Sequence, residues 1–268
     1  MVKLAGILNV TPDSFSDGGS FVALRAAVEH GLAMVEEGAT WIDVGGESTR
    51  PGSAGVSVSE ECSRVLPVIE ALCEHGVAVS IDTSKPEVAA AALAVGAQVV
   101  NDVNGLRAPG MLETVAEHNA GAVIMHMRGE PKTMQKNVAY QDVVQEVCRF
   151  LKMRHSAARD AGIGSVWLDP GIGFGKSVEQ NCALIGAVRQ IRALGAPVYL
   201  GASRKSFLGA LTGQESPMAR LPGSLAAAIA AYDAGVDVIR VHDVRATLDT
   251  IRVWEAVRNG PPKKQVKA

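Results

Sequence analysis

The stretch YDAGVDVIRVHDV, residues 232–244, contains the end of a helical pattern, a glycine, an apolar run and a polar tip. Gly235 supplies the left-handed residue with which helices commonly end, and the apolar run after it is typical of a strand covered on both faces. Polar residues, among them Arg240 and His242, come where that strand finishes. The stretch therefore predicts a helix, a tight turn and a parallel strand that ends in polar side chains.

The same unit recurs along the chain. Its other copies are EEGATWIDVGG (36–46), AVGAQVVNDVNG (94–105), HNAGAVIMHMRG (118–129), RDAGIGSVWLDPG (159–171) and RALGAPVYLGASRK (192–205). With LAGILNV (4–10) and HGVAVSIDT (75–83), the predicted strands lie near residues 3–9, 40–45, 78–82, 98–103, 121–126, 165–169, 197–202 and 236–242. Helical patterns fill the gaps, and the last runs from about 244 to 258.

Eight strands alternating with eight helices predict an α/β fold of the (β/α)8 TIM-barrel type. An open doubly wound sheet is the alternative, and the strand count favours the barrel. A chain of 268 residues is of the right length for one such barrel. We therefore expect a single domain over residues 1–260, followed by a polar C-terminal tail at 261–268.

Composition excludes several classes of function. The formal net charge of −2 provides no basic surplus for a nucleic-acid backbone or an anionic membrane. No stretch approaches the roughly 18 apolar residues of a membrane span, and no secretory signal is recognisable at the N-terminus, so we expect a cytoplasmic protein. The four cysteines are widely spaced without a CxxC pair, which indicates neither a zinc site nor a disulfide framework.

Polar side chains are concentrated where the predicted strands finish. They are Asn9, Asp43, Asp82, Asn101, Asp102, His126, Asp169, Ser203, Arg204, Lys205, Arg240, His242 and Asp243. In a barrel these ends converge on one face, where active sites of this fold are built. The polar loop after Asn9, with Phe15 in it, fits a segment that covers such a site.

The residue types at these ends indicate two kinds of ligand group. Asp82, Asn101 and Asp169 could pair with a planar heterocycle that carries N–H donors and ring acceptors. Asp43 and Asp102 could belong to the same site or could accept hydrogen bonds from loop amides and helix N-termini; both interpretations stay open.

Positive charge gives the sharper indication. Arg240 and His242 are one strand period apart and face the same side, while Arg204 and Lys205 lie at the neighbouring strand end. Arg50 follows the second strand. Surface ion pairing would explain any single member, but the group together on a nearly neutral protein predicts an anionic, phosphorylated substrate.

Longer motifs connect these residues to a known family. In order, they are GILNVTPDSFSDGG, DVGGESTRPG, SIDTSKPEV, NDVNG, MHMRGEPKTMQ, LDPGIGFGK, GASRKSFLG and RVHDV. Together they cover nearly the whole chain, and the chain resembles the dihydropteroate synthases. The resemblance implies a TIM barrel that joins (7,8-dihydropterin-6-yl)methyl diphosphate to 4-aminobenzoate and releases diphosphate.

The resemblance also implies a role for individual residues. The pterin would be held by Asp82, Asn101, Asp169, Lys205 and Arg240, of which Asp82, Lys205 and Arg240 would be catalytic. The diphosphate would be bound by Asn9, Thr49, Arg50, Arg240 and His242. The 4-aminobenzoate would be bound by Phe15, Thr49, Arg50, Pro51, Phe174 and Ser203. Asn9 would ligate Mg2+, the expected cofactor.

Two other functions remain open at this point. A methyltetrahydrofolate:corrinoid methyltransferase would share the Asp/Asn/Asp grip on a pterin but would need no diphosphate pocket. A paralogue that binds pterin without catalysis would keep the same residues. The resemblance further implies a homodimer and sensitivity to sulfonamides as inhibitors, with no nucleic-acid or membrane partner.

Overall fold

The computed structural model describes residues 2–11, 20–48, 55–129, 134 and 138–260, and within them eight parallel strands alternate with helices. The strands are β1 (Lys3–Asn9), β2 (Trp41–Gly45), β3 (Val79–Asp82), β4 (Val99–Asp102), β5 (Gly121–Met125), β6 (Val166–Asp169), β7 (Tyr199–Leu200) and β8 (Val238–Val241). Their order in the sheet is β6-β5-β4-β3-β2-β1-β8-β7. Each predicted strand is present within a few residues of its expected bounds.

The sheet closes on itself between β6 and β7. A parallel bridge joins Leu168 to Val198, and the Leu168 amide donates to the Pro197 carbonyl at 2.9 Å. These contacts confirm the barrel over the open sheet. β7 is shorter than predicted because Pro197 has no amide hydrogen and the Val198 amide donates to the Asp237 carboxylate instead, at 2.9 Å.

Helices follow the strands on the outside of the barrel. Their bounds in the described residues are α1 (Ser20–Glu37), α2 (Val58–Glu74), α3 (Pro86–Ala94), α4 (Met111–Glu117), α5 (Val143–Asp160), α6 (Val178–Gly186), α7 (Val188–Arg192), α8 (Ser206–Thr212), α9 (Leu221–Asp233) and α10 (Val244–Asn259). Two connections hold a pair of helices where one was expected. After β7 the division has a clear cause, because Gly213 ends α8 with a left-handed φ of 69°.

The lower half of the barrel interior is filled by aromatic and aliphatic side chains. Trp41 lies against Trp167 and Tyr199, with ring centroids 5.7 and 6.2 Å apart, and Ala5 and Val238 belong to the same cluster. The barrel is therefore a packed core and not a pore. Polar groups are left to the other end, where the strands finish.

Two further findings concern the cysteines and the hydrophobicity of the helices. The four cysteines, all in described helices, are free thiols. A search of the described helices found none long and apolar enough to cross a membrane.

Candidate active site

The register of the parallel strands brings four sequence-distant positions to one level. Asn9 pairs with Gly45, Gly45 with Asp82, and Asp82 with Asn101. Gly45 leaves room here, since a Cβ at its position would lie 3.4 Å from the Asp82 Cβ. Neighbouring strand ends thus present an amide, a carboxylate and a second amide at the same height.

Asp43 lies at the centre of the hydrogen bonds beneath this level. It is fully buried and accepts from the Ser80 hydroxyl, from Asn101 Nδ2 at 3.0 Å and from Arg240 Nε at 2.5 Å. Of the two interpretations left open for Asp43, its contacts support membership of the site. Its sequence signal was a single carboxylate inside the apolar run WIDVG.

Arg240 joins the two carboxylates of β2 and β3. Its Nη2 donates to Asp82 Oδ2 at 2.7 Å, while its Nε serves Asp43. Burial opposes the charge of Arg240, but the two carboxylates outweigh it and raise the pKa of the guanidinium further, so Arg240 is always charged.

Asp82 combines burial with an incomplete set of hydrogen bonds. Burial raises its pKa to about 7, although Arg240 lowers it, and the nearby Asp43 adds to the rise. Within the described part of the chain, Asp82 Oδ1 is buried and has no hydrogen-bond partner. A buried carboxylate oxygen without a partner is costly, and at the strand-end face of a barrel it indicates a position for a donor on a ligand.

Asp169 and Lys205 occupy the opposite side of the barrel mouth. Asp169 is buried and accepts from the Gly171 amide at 2.7 Å, and burial raises its pKa. Lys205 is half-buried, and its Nζ donates to the Ile172 carbonyl at 2.5 Å. Burial lowers the pKa of Lys205 to about 8, against the attraction of Asp169.

Phe174 extends this side of the site. Its ring centre lies 4.7 Å from Lys205 Nζ, a cation–π distance, so one lysine touches both the Asp169 region and an aromatic surface.

The loop that carries Phe174 is held from inside by a lysine whose role sequence reasoning missed. Lys176 Nζ, almost fully buried, donates to the carbonyls of Gly171 at 2.9 Å, Phe174 at 3.0 Å and His126 at 3.2 Å. Its pKa is lowered to about 7, chiefly by burial, but three carbonyl acceptors fit the ammonium form. The sequence showed only a weak Gly-rich motif here.

The ends of β7 and β8 are joined by Ser203 and His242. The Ser203 hydroxyl lies 3.0 Å from His242 Nδ1, and the His242 amide donates to the same hydroxyl at 3.2 Å. Arg204, which the sequence grouped with the ligand-facing cations, is instead paired with Asp243 through bonds of 3.0 and 2.6 Å. For Arg204, therefore, the ion pairing that was left open for any single member of the group is what the structure shows.

Other expectations have mixed outcomes. Asp102 accepts from the amides of Asn104 and Leu106, both at 2.7 Å, so the interpretation that it accepts hydrogen bonds from loop amides is the correct one.

Among the described residues, no three His, Cys, Asp or Glu side chains form a group that could hold a metal. Four of the residues expected to bind 4-aminobenzoate or diphosphate lie outside the described residues: Phe15, Thr49, Arg50 and Pro51.

The remaining predicted residues are brought to one end of the barrel. The carboxylates of Asp43 and Asp82 pair with the Arg240 guanidinium. Asp169 and Lys205 lie across the barrel mouth from them, and Ser203 with His242 lies next to Arg240. Fold and site together define a (β/α)8 barrel with charged and polar side chains gathered at its strand ends, the place where enzymes of this fold have their active sites.

Known proteins share this arrangement along nearly the full chain. The family model described as pterin binding enzyme matches residues 5–242. Dihydropteroate synthase of Escherichia coli (strain K12) is 47% identical over 263 residues, which cover 97% of this chain and 93% of that protein.

Solved structures agree with that similarity. Xanthomonas albilineans dihydropteroate synthase with 4-aminobenzoic acid has a TM-score of 0.90 at 49% identity, over 97% of this chain and 94% of that one. The Yersinia pestis dihydropteroate synthase in a sulfonamide drug complex has a TM-score of 0.90 at 43% identity, over 96% and 94%. This chain therefore belongs to the pterin binding enzyme family, and within it to the dihydropteroate synthases.

Proposed function

We infer that this chain catalyses the condensation of (7,8-dihydropterin-6-yl)methyl diphosphate with 4-aminobenzoate, which yields 7,8-dihydropteroate and diphosphate for folate synthesis. The observation that carries the inference is the buried Arg240 joined to Asp82, whose second oxygen has no partner among the described residues. This pair would place a carboxylate beside the pterin ring and a guanidinium beside the diphosphate leaving group.

The pterin ring fits the acidic side of the pocket. Asp169 would accept from the 2-amino group and the adjacent ring N–H, while Asp82 and Asn101 would bind the opposite edge. Lys205 would donate to a ring acceptor, and the planar Arg240 guanidinium would lie over the ring face. Such donors and acceptors complement a heterocycle that carries both, and a ring N–H would supply the partner that Asp82 Oδ1 does not have among the described residues.

The diphosphate would lie where β8 meets β1. Arg240 and His242 are on the last strand, Asn9 ends the first, and the Thr49–Arg50 loop follows the second. Charge builds on the departing oxygen as the bond to the pterin methylene breaks, and cationic donors stabilise that charge. The carbon left behind is a pterin-stabilised cation, which an ionised Asp82 favours. The amine nitrogen of 4-aminobenzoate would then bond to this carbon and release a proton to solvent, so no protein nucleophile is required.

Mg2+ fits this site only together with the diphosphate. Asn9 offers one hard amide oxygen, and the described residues provide no carboxylate cluster beside it. Asn9 would hold the ion, which would neutralise diphosphate charge when bound.

The arylamine would bind at the Phe174 side of the mouth. Phe174 supplies an aromatic surface beside Lys205, and Ser203 supplies a hydroxyl. Phe15, Thr49, Arg50 and Pro51 would complete the pocket, with Arg50 meeting the carboxylate. A sulfonamide has the same arylamine outline and would compete here, in line with the relative that was solved with such a drug.

Diphosphate release with and without 4-aminobenzoate tests the function. We expect release that depends on the arylamine and on Mg2+, with 7,8-dihydropteroate as the product. Pterin binding without turnover would instead support the non-catalytic alternative, and methyl transfer from methyltetrahydrofolate would support the methyltransferase, which the comparisons do not favour.

We further propose that the enzyme acts as a cytoplasmic homodimer with a single barrel domain over residues 1–260. The exposed apolar side chains Leu211 and Met218 provide apolar surface on the outside of the barrel. Light scattering at several concentrations measures the assembly, and a monomer at all of them would contradict the dimer.

A further inference from the structure

Arg204 lies between two residues of the proposed site, Ser203 and Lys205, and has an unusual backbone. Its φ is 59°, in the left-handed region that residues other than glycine avoid. Such a conformation persists only where the surroundings over-determine it, and it occurs preferentially at functional sites.

The surroundings of Arg204 do over-determine it. Its amide donates to Ser224 Oγ at 2.9 Å, and its carbonyl accepts from Arg220 Nη1 at 3.0 Å. Its guanidinium forms two parallel bonds to Asp243, and its Nη1 lies 3.0 Å from the Met218 sulfur. The backbone and the side chain are thus fixed independently.

The fixed position of Arg204 affects the ends of both β7 and β8. Asp243 directly follows His242, whose ring nitrogen lies 3.0 Å from the Ser203 hydroxyl. The ends of β7 and β8 are therefore linked twice, once by Ser203 with His242 and once by Arg204 with Asp243. The second link is largely shielded, with the two side chains 21% and 20% exposed, and its two-pronged geometry fixes orientation as well as distance.

We propose that Arg204, through its pair with Asp243, is a positioning residue that holds Ser203, Lys205 and His242 in the arrangement the reaction needs. The proposal rests on the proposed function, in which these three side chains contact the arylamine, the pterin and the diphosphate. Arg204 acts through them, because its own donors are already bonded within the protein.

The test uses Arg204→Met, Asp243→Asn and the double variant in the full chain. The matched control is Arg192→Met, because Arg192 forms a similar two-pronged pair with Asp237, at 3.1 and 2.9 Å, below the opposite end of β8. A structural role alone predicts that all variants lose stability and keep their kinetics.

Positioning predicts a different pattern. We expect kcat/KM for pterin diphosphate to fall about 10- to 100-fold in each single variant, with little further loss in the double variant, because the pair acts as a unit. Affinity for inorganic diphosphate, measured by calorimetry with Mg2+, should weaken in the same variants. Arg192→Met should change each quantity by less than about threefold.

Wild-type kinetics and diphosphate affinity in a folded Arg204→Met or Asp243→Asn variant would overturn the proposal. Asp243→Asn is nearly isosteric and provides the answer if Arg204→Met does not fold. Wild-type protein that releases no diphosphate would contradict the proposed function, while the calorimetric comparison would still show whether the pair organises the anion site.

Discussion

Arg240 is the residue on which most of the site's electrostatics depends. In the free protein it divides its guanidinium between Asp43 and Asp82. A lysine could not do so, because a point charge lacks the fork that serves two carboxylates at fixed angles. In the proposed function, diphosphate would take part of that guanidinium, and Asp82 would keep a negative charge beside the pterin, where a cation would form.

Asp82→Asn is expected to lower kcat by about a hundredfold, or ~2.7 kcal/mol of transition-state stabilisation, while pterin diphosphate affinity changes much less. The amide keeps the shape of the carboxylate but loses the charge that favours a cationic transition state. Steady-state kinetics and a binding titration measure the two effects separately. The exposed Asp249→Asn is the control. Turnover near the wild-type rate in Asp82→Asn would make Asp82 structural only.

The pKa values predict how activity and stability depend on pH. Asp82, with its pKa raised to about 7, must be ionised, so kcat/KM should rise about tenfold per pH unit below pH 7 and level off above it. Lys205, with its pKa lowered to about 8, should produce the decline at higher pH. Asp82→Asn should abolish this rise of kcat/KM below pH 7. If the variant still shows the rise, another group is responsible for it.

Asp82 should also make the free energy of unfolding depend on pH, in the direction opposite to activity. Its folded pKa of about 7 exceeds the ordinary value of 3.8, so the folded protein binds more protons between pH 4 and 7. The contribution of Asp82 to stability therefore falls as pH increases through that window, and Asp102, with its pKa raised to about 6, acts in the same direction. Denaturant titrations in wild type and Asp82→Asn measure the difference.

Asn9 leads to a prediction about the metal. Mg2+ should bind the free protein weakly, since one neutral oxygen is a poor site, and tightly once diphosphate is present. Asn9→Ala should remove the Mg2+-dependent gain in diphosphate affinity, and Asn9→Asp should strengthen Mg2+ binding to the free protein. Calorimetry with Mg2+ alone measures this, and strong binding to the free wild type would count against a substrate-borne metal.

At the scale of elements, the loop after β6 contains several stabilising features in seven residues, 170–176. Its backbone carbonyls accept hydrogen bonds from Lys176 and Lys205. Helix α6 begins directly after the loop, with a capping box formed by Ser177 and Gln180. Gly171 has a φ of 70°, and a Cβ there would lie 1.9 Å from the His126 carbonyl oxygen. The loop can therefore approach β5 only with glycine at this position.

Gly171→Ala is expected to lower the free energy of unfolding by about 2–4 kcal/mol and to weaken 4-aminobenzoate binding. The clash would displace the loop that presents Phe174. Gly164→Ala is the matched control, because a Cβ at Gly164 meets nothing within 4 Å. Thermal unfolding and arylamine titration in the presence of diphosphate measure both effects, and equal results for the two variants would refute the steric argument.

At the scale of the whole molecule, the barrel links groups that the chain separates by almost its full length. Asn9 ends the first strand and His242 directly follows the last, and these two strands pair in the sheet. The end of β2 lies beside the end of β1, since Gly45 pairs with Asn9. Ligand binding at one strand end can thus affect several loops at once.

This linkage predicts an order of substrate binding. The segments 10–20 and 46–57 are rich in Gly, Ser and Pro, a composition typical of loops that ligand contacts organise. The arylamine should therefore bind at least about tenfold more tightly once diphosphate and Mg2+ are present. Arg50→Ala should weaken that coupling, whereas Arg25→Ala, on the exposed side of α1, should not. Equal arylamine affinity with and without diphosphate would show that the pocket needs no such ordering.

Much of this protein could be predicted from its sequence, because its signals are local. Six copies of a glycine followed by a continuous apolar run, together with LAGILNV and HGVAVSIDT, predict eight strands, and eight such strands favour a barrel. The same periodicity places Asp82, Asn101, Asp169 and Arg240 at strand ends. The motifs that resemble a family are equally local, and the comparisons confirmed the family.

Only the tertiary structure determined how those groups pair. Asp43 lies inside the apolar run of β2 and Asp102 ends that of β4. Asp43 meets Arg240 across 197 positions of sequence, whereas Asp102 accepts from two loop amides nearby. The two arginines differ in the same way, because Arg204 pairs with Asp243, 39 positions away, whereas Arg240 pairs with carboxylates of β2 and β3. The reason is geometric: a side chain's partner depends on strand register and barrel closure, which are properties of long-range contacts and not of local sequence.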